Sequence, residues 1–298
     1  MAEAVIDIRD LRKSFGAVRA LDGLTLSVPP GSIFALLGPN GAGKTTAIKI
    51  LFGLVRATGG SARVFDLPVD DPAASVEIRR RAALVTEEKD LVDSMTVDEI
   101  VRFTAGAVPG WRDDLARRYS ALFELRPASQ VRSLSRGART KLALLLALCR
   151  TCDLLVLDEP TAGLDPAASE QVLQAIVRHV VEDGLSVCFS THQLPEVEQI
   201  ADHIAIVNHG RTALSGALDD LRSGWRRIQL VFDGEPPPLT FRSSDVTHVR
   251  RDGRVLAAFV RAGIDQAVDE ARSWNPAAVD VTPVTLKEIY LETVNAEV

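Results

Sequence analysis

The stretch Ile33-Phe34-Ala35-Leu36-Leu37-Gly38-Pro39-Asn40-Gly41-Ala42-Gly43-Lys44-Thr45 sets the architecture of the chain. Its first five residues are apolar without alternation, as in a strand buried on both faces of a parallel sheet. They run directly into G-x-x-x-x-G-K-[ST], and Lys44 to Val55 then reads as a helix. Strand, glycine loop and helix are the context in which backbone N–H groups converge on phosphate oxygens at a helix N-terminus. On this reading Lys44 reaches the β- and γ-phosphates of a nucleotide, and the Thr45 hydroxyl ligates Mg²⁺. The competing reading is a glycine-rich turn with a surface lysine.

On either side of this stretch, Ala82 to Val85, Leu154 to Leu157 and Val187 to Ser190 are further short apolar runs. Segments long enough for crossover helices separate them, which argues α/β architecture. Val5 to Arg9, Thr25 to Val28 and Ser61 to Phe65 read as half-buried, partly antiparallel strands. Val97 to Val131 contains no buried-strand run and is predicted helical, an inserted lobe at about 91–150. The character changes near Leu221-Arg222-Ser223-Gly224. Beyond it, Ile228 to Phe232 and Val255 to Val260 read as strands, and Asp252-Gly253 as a hairpin turn. Ile264 to Trp274 reads as a helix, and Thr285 with Glu288 as a capping box opening a last helix. The expected division is therefore 1–222 and 223–298, the second a small α+β unit.

The chain has 298 residues, 46% hydrophobic and 25% charged, enough for two cores of unequal size. Its net charge of −6 weighs against nucleic acid as a partner. No run approaches the roughly 18 apolar residues that span a bilayer. The acidic N-terminus lacks the apolar core of a secretion signal, and three cysteines make no disulfide framework. A cytoplasmic protein is expected.

Leu154 to Glu159 is an apolar strand ending in two acids, at the end where parallel sheets bind ligands. Asp158 is placed to hold the Mg²⁺ shell. Glu159, one residue on, is placed to accept a proton from an attacking water. A pair of solvated acids is the bland alternative.

The order of motifs now carries a resemblance. From about Val5 to Leu221 the chain resembles the ATP-binding subunit of ABC transporters, in the subfamily serving ABC-2-type exporters. Gly38 to Thr46 matches the Walker A loop and Leu154 to Glu159 the Walker B strand. Pro160-Thr161-Ala162-Gly163-Leu164-Asp165 is similar to the D-loop. Leu134-Ser135-Arg136-Gly137-Ala138 resembles the LSGGQ signature, and Ser190-Thr191-His192 the switch-histidine segment. Phe15 stands where the family stacks an aromatic on adenine. The resemblance implies an ABC cassette fold: a RecA-like α/β P-loop core, an antiparallel β subdomain and a helical lobe, here followed by the α+β tail. It implies an ATPase with ATP and Mg²⁺ as substrate and cofactor. Glu159, His192 and Lys44 become the catalytic groups. Phe15, Gly38, Pro39, Asn40, Gly41, Ala42, Gly43, Lys44, Thr45, Thr46, Glu87, Ser135, Gly137 and Asp165 become the nucleotide contacts, and Thr45, Asp158 and Glu87 the metal contacts. Ser135 and Gly137 would hold the γ-phosphate of a second copy, or of a paralogous cassette, in a head-to-tail dimer, with Asp165 at the interface. The remaining implied partner is a transmembrane permease, which would place the chain peripherally on the inner face of the cell membrane. By the same resemblance the tail dimerises or regulates.

The sequence also departs from the family. Arg136 replaces a signature glycine and Ala138 its glutamine, and Glu87 stands at the Q-loop glutamine position. Each singled-out residue has a plainer alternative: core packing for Phe15, a helix cap for Ser135, a turn acid for Asp165, a structural histidine for His192. Cys149-Arg150-Thr151-Cys152 is expected to be packing rather than a metal or redox site, and Arg79-Arg80-Arg81 a solvated helix end. A non-transport ABC ATPase and a non-hydrolysing binding module stay open as alternatives. The single cassette weighs against the first, and the intact Lys44, Asp158, Glu159 and His192 against the second.

Overall fold

A computed structural model describes residues 4–243 and 245–295. The chain divides into two compact units, with the boundary between Ser215 and Gly216.

In chain order the first unit contains β1 (Ile6–Phe15), β2 (Val18–Val28), β3 (Ile33–Leu37), α1 (Lys44–Leu51), β4 (Gly59–Val64), β5 (Leu67–Pro68), α2 (Pro72–Arg81) and β6 (Ala82–Val85). It continues with α3 (Val97–Ala107), α4 (Asp113–Leu122), α5 (Arg136–Leu148), β7 (Leu154–Asp158), α6 (Pro166–Asp183), β8 (Ser186–Thr191), α7 (Leu194–Ile200) and β9 (His203–Asn208), and it ends within β10 (Arg211–Ala217). Six strands form one sheet in the order β10-β9-β3-β8-β7-β6, parallel from β9 through β6. This order matters for the site. The carboxyl ends of β3, β8 and β7 lie side by side, with Leu37 opposite Thr191 and Asp158 opposite Ser190. Every residue of β3, β7 and β8 is buried, the apolar runs and also the polar Asp158, Ser186, Ser190 and Thr191 at the strand ends.

The antiparallel sheet β2-β1-β4-β5 shares a core with this one through Ile6, Leu24, Phe34, Ile48 and Leu154. Its first two strands run much further than the sequence indicated. The charged Arg9-Asp10-Leu11-Arg12-Lys13 hides the alternation because the ladder bulges between Ile8 and Leu11, where Asp10 adopts φ 48°. Helix α1 is shorter than the predicted Lys44 to Val55. Gly53 turns left-handed at φ 68°, and the amides of Leu54 and Val55 fold back onto the Lys49 carbonyl. Helix α5 begins at Arg136 on its Ser135 cap. Strand β9 escaped the sequence reading.

The second unit holds α8 (Leu218–Gly224), β11 (Arg226–Val231), β12 (Val246–Asp252), β13 (Val255–Val260), α9 (Ile264–Ser273), β14 (Ala278–Pro283) and α10 (Leu286–Asn295). Its antiparallel sheet runs β12-β13-β11-β14, the last strand again unforeseen from the sequence. Ile228, Leu230, Leu256, Ala258 and Val260 pack with Ala267 and Ala271 of α9. The capping box forms as expected: the Thr285 hydroxyl accepts from the Glu288 amide, and the Glu288 carboxylate accepts from the Thr285 amide. No helix among the described residues is long and apolar enough to cross a membrane.

Candidate active site

The loop between β3 and α1 is shaped by glycines at two positions where a side chain has no room. Gly43 sits at φ 105°, and a Cβ there would lie 2.6 Å from the Ala20 carbonyl oxygen. A Cβ on Gly38 would lie 2.3 Å from the Val207 carbonyl oxygen. Gly41, at φ 81°, faces open space. This is a backbone cradle closing on the N-terminus of α1. Lys44 is only 6% exposed. Its Nζ donates to the carbonyls of Gly38 at 2.8 Å and Pro39 at 3.2 Å. Burial lowers its pKa, opposed by the nearby Glu159 and Asp158.

Both acids of the pair are buried at the end of β7, so the solvated-acid alternative fails. Asp158 Oδ1 accepts from the Ser190 hydroxyl. Glu159 is held in left-handed backbone at φ 49°, its N–H shared between the Ser190 carbonyl and hydroxyl at 3.2 and 3.1 Å. A residue with a β-carbon is strained in that conformation, and such strain collects at functional sites. The backbone turn brings the Glu159 carboxylate to 3.7 Å from Lys44 Nζ and 3.0 Å from His192 Nδ1. His192 is half-exposed, so it is not a buried structural histidine. A carboxylate, an ammonium and an imidazole thus converge on the phosphate loop.

These groups line a cleft of about 560 Å³ that also takes in Phe15, Arg19, Glu87 and Arg136. Phe15 is 50% exposed on the cleft wall, with Lys13 Nζ 4.7 Å from its ring, and not in the core. Glu87 is exposed at the rim. Thr45 and Thr46 lie on the first turn of α1 within the cleft, together with Asn40 and Ala42.

Three expected residues lie elsewhere. Ser135 caps α5 by accepting from the Ala138 amide at 3.2 Å, and Gly137 is the second residue of that helix, where a Cβ would lie 3.1 Å from the Gly163 carbonyl oxygen. Asp165 caps α6 by accepting from the Ala168 amide at 2.9 Å, which holds its carboxyl below the usual range. None of the three lines the cleft of its own chain. Cys149 and Cys152 are packing residues: burial pushes their thiols up to about 12 and about 11. The arginine run is more than a solvated helix end. Arg79 binds the Phe52 carbonyl, and Arg81 pairs with Asp153 over the Phe65 ring.

The sequence reading missed two groups beside the cleft. Lys89 is buried under the β7 end. Glu196 is buried between Thr161 and Thr191, accepting from both hydroxyls and so joining the segment after Glu159 to the residue before His192. Burial raises the Glu196 pKa above 4.5, so the folded protein holds that proton more tightly. Stability from this group is present below pH 4.5 and is lost as pH rises through the raised folded value. Glu196→Gln is therefore expected to remove that slope, read as melting temperature between about pH 4 and 8; an unchanged slope would contradict it.

Among the described residues no cluster of three His, Cys, Asp or Glu side chains is built to hold a metal. The oxygen donors of Thr45 and Asp158 suit instead a hard cation that arrives with phosphate and keeps waters. The geometry is thus that of a nucleotide site. Comparison with known proteins names its family. Over 224 residues the chain is 38% identical to the daunorubicin/doxorubicin resistance ATP-binding protein DrrA of Streptomyces peucetius, a span covering 73% of this chain and 67% of that protein. The sequence profile of the ABC transporter family matches residues 21–162. The chain belongs to the ABC transporter family. It is also 33% identical to the Nod factor export ATP-binding protein I of Cupriavidus metallidurans, over 73% of each chain. A solved ATP-binding subunit of an ABC transporter superposes with a TM-score of 0.66 at 30% identity, covering 74% of this chain and 92% of that one. The bacterial ABC transporter cassette MJ0796, whose solved structure is dimeric, shares the fold at 22% identity and a TM-score of 0.65, covering 72% of this chain and 98% of that one.

Proposed function

We propose that this cassette hydrolyses ATP with Glu159 as the general base, and that the energy drives export through a separate membrane permease. The supporting observation is the meeting of Glu159, Lys44 and His192 over the phosphate loop. Phe15 stacks on adenine. Gly38, Pro39, Asn40, Gly41, Ala42, Gly43, Thr45 and Thr46 form the loop that receives the phosphates. Mg²⁺ would be held by Thr45 and Asp158, with Glu87 at the rim, and would supply neutralisation of phosphate charge. Lys44 leaves its two backbone carbonyls for the phosphate oxygens. Glu159 takes the proton of the attacking water. His192, fixed by its bond to Glu159, steadies the developing γ-phosphate charge.

Ser135, Gly137 and Asp165 fit this reading only if a second copy supplies them. Ser135 and Gly137 mark the N-terminus of α5, whose free amides and dipole suit an anion. We assign them to the γ-phosphate of the facing subunit and Asp165 to the interface. DrrA and the Nod factor protein carry resistance and export in their names, which favours an exporter over a non-transport ATPase. We place the permease contact at the groove between β6 and the helical lobe, lined by Leu84, Val85, Leu91, Val108, Ala143 and Leu146. That contact would hold the protein at the inner face of the cell membrane. The second unit is assigned an accessory role, in dimerisation or regulation.

The adenine assignment has its own test. Aromatic–base stacking is worth about 1–3 kcal/mol. Phe15→Ala is expected to raise KM for ATP about tenfold with kcat nearly unchanged, and Phe15→Tyr to preserve both. An unaltered KM in Phe15→Ala would remove the stacking role.

A further inference from the structure

Lys89 has no place in the mechanism above, yet it is only 6% exposed. It lies in the loop after β6, two residues beyond Glu87, and its own backbone is left-handed at φ 51°. A lysine that deep requires a partner for its charge. The partners here are carbonyls: Nζ donates to the Asp158 oxygen at 3.0 Å and the Glu159 oxygen at 3.4 Å. These are the carbonyls on either side of the Glu159 Cα. The last paired residues of β6 and β7 are Val85 and Leu157, so beyond them the β6 side of the sheet offers these carbonyls no strand partner. Lys89 occupies that position.

The direction of the Glu159 side chain depends on two things: the left-handed φ at 159 and the plane of the Asp158–Glu159 peptide. Ser190 grips the N–H of that peptide, and Lys89 grips its carbonyl. With both ends held, the peptide cannot rotate, and the strained conformation that aims the carboxylate at Lys44 and His192 is retained.

We propose that Lys89 is a positioning residue for Glu159, fixing the Asp158–Glu159 peptide from the β6 side so that the carboxylate stays aimed at the phosphate loop. The inference rests on the assignment of Glu159 as base. It also makes the loop carrying Glu87 a structural extension of the catalytic strand, because one side chain joins the two.

The experiment compares the full-length protein with Lys89→Met, Lys89→Arg, Glu159→Gln and the double variant Lys89→Met/Glu159→Gln. It measures kcat with radiolabelled ATP, followed long enough to quantify residual hydrolysis, and Kd for a fluorescent ATP analogue. Displacing a reacting group by about 1 Å costs on the order of 100-fold. Lys89→Met is expected to lower kcat roughly 10- to 100-fold, with Kd changed less than about threefold, as a KM-against-kcat split demands. Lys89→Arg, which keeps the donor, recovers part of kcat. In the Glu159→Gln background Lys89→Met causes no further loss, because the group it positions is already disabled. Three results would overturn the proposal: an unchanged kcat in Lys89→Met, a loss of nucleotide affinity equal to the loss of rate, or the same fold-loss in the Glu159→Gln background. A normal rate in Glu159→Gln alone is a separate result and removes the base assignment itself.

Discussion

Glu159→Gln is expected to lower ATP turnover by about 100- to 1,000-fold while leaving nucleotide affinity intact. The amide keeps the shape of the side chain and keeps an oxygen for the bond from His192 Nδ1, now 3.0 Å away. It loses the ability to accept a proton from water. General-base catalysis is worth about 10²–10⁴ in rate, so its loss alone accounts for the size of the effect. The change is isosteric in a side chain that is 8% exposed, and no packing penalty accompanies it. Steady-state hydrolysis and equilibrium binding on the same preparation separate the two quantities. Full turnover in the variant would assign the proton transfer to another group.

Lys44→Ala is expected to act on affinity as well as rate, weakening ATP binding by at least about 100-fold. The ammonium is the buried cation of the phosphate loop, and its contacts to phosphate oxygens are charge-assisted, about twice as strong as neutral ones. Lys44→Arg is not expected to rescue binding. The planar guanidinium does not fit the space between the Gly38 and Pro39 carbonyls, where a compact ammonium sits at 2.8 and 3.2 Å. The ligand-free fold should tolerate Lys44→Ala, because burial lowers this lysine's pKa and its charged form is disfavoured there. Melting temperature without nucleotide tests that part, and titration with a fluorescent ATP analogue tests the affinity. Unchanged affinity would mean that the loop does not bind phosphate through this residue.

Both predictions rest on residues that stand out in the sequence for a physical reason. Buried parallel strands must be apolar along their length, and a glycine loop or an acid pair placed directly after such a strand is conspicuous against that background. Hence Gly38 to Thr45, Asp158 and Glu159 could be placed at strand ends from the residues alone, whereas His192 stood out only through the family resemblance. Lys89 could not, because a lysine in a polar loop looks solvated until the β7 carbonyls arrive from 69 residues away. Glu196 was hidden likewise, its partner Thr161 lying 35 residues upstream. The strand β1 was read as ending near Arg9 because its bulge shifts the alternation by which half-buried strands are recognised. In the tail, β14 escaped because none of Ala278–Pro283 is buried: four of its residues are exposed and two intermediate, without regular alternation. Ser135, Gly137 and Asp165 illustrate a different limit. Only the Ser135 helix cap was legible, the Asp165 cap having been read as a turn acid, and one chain does not bring any of the three into its own cleft.

That separation makes the proposed mechanism a statement about two copies of the chain: the ATP site is completed only when the α5 N-terminus of one faces the phosphate loop of the other. The decisive measurement is sedimentation of the Glu159→Gln protein with saturating ATP and Mg²⁺. Twice the monomer mass is expected with ATP and the monomer mass with ADP, and the ATP-dependent dimer should be lost when Ser135→Ala or Gly137→Asp is added. A protein that binds ATP to saturation and still sediments as a monomer would contradict the two-copy site.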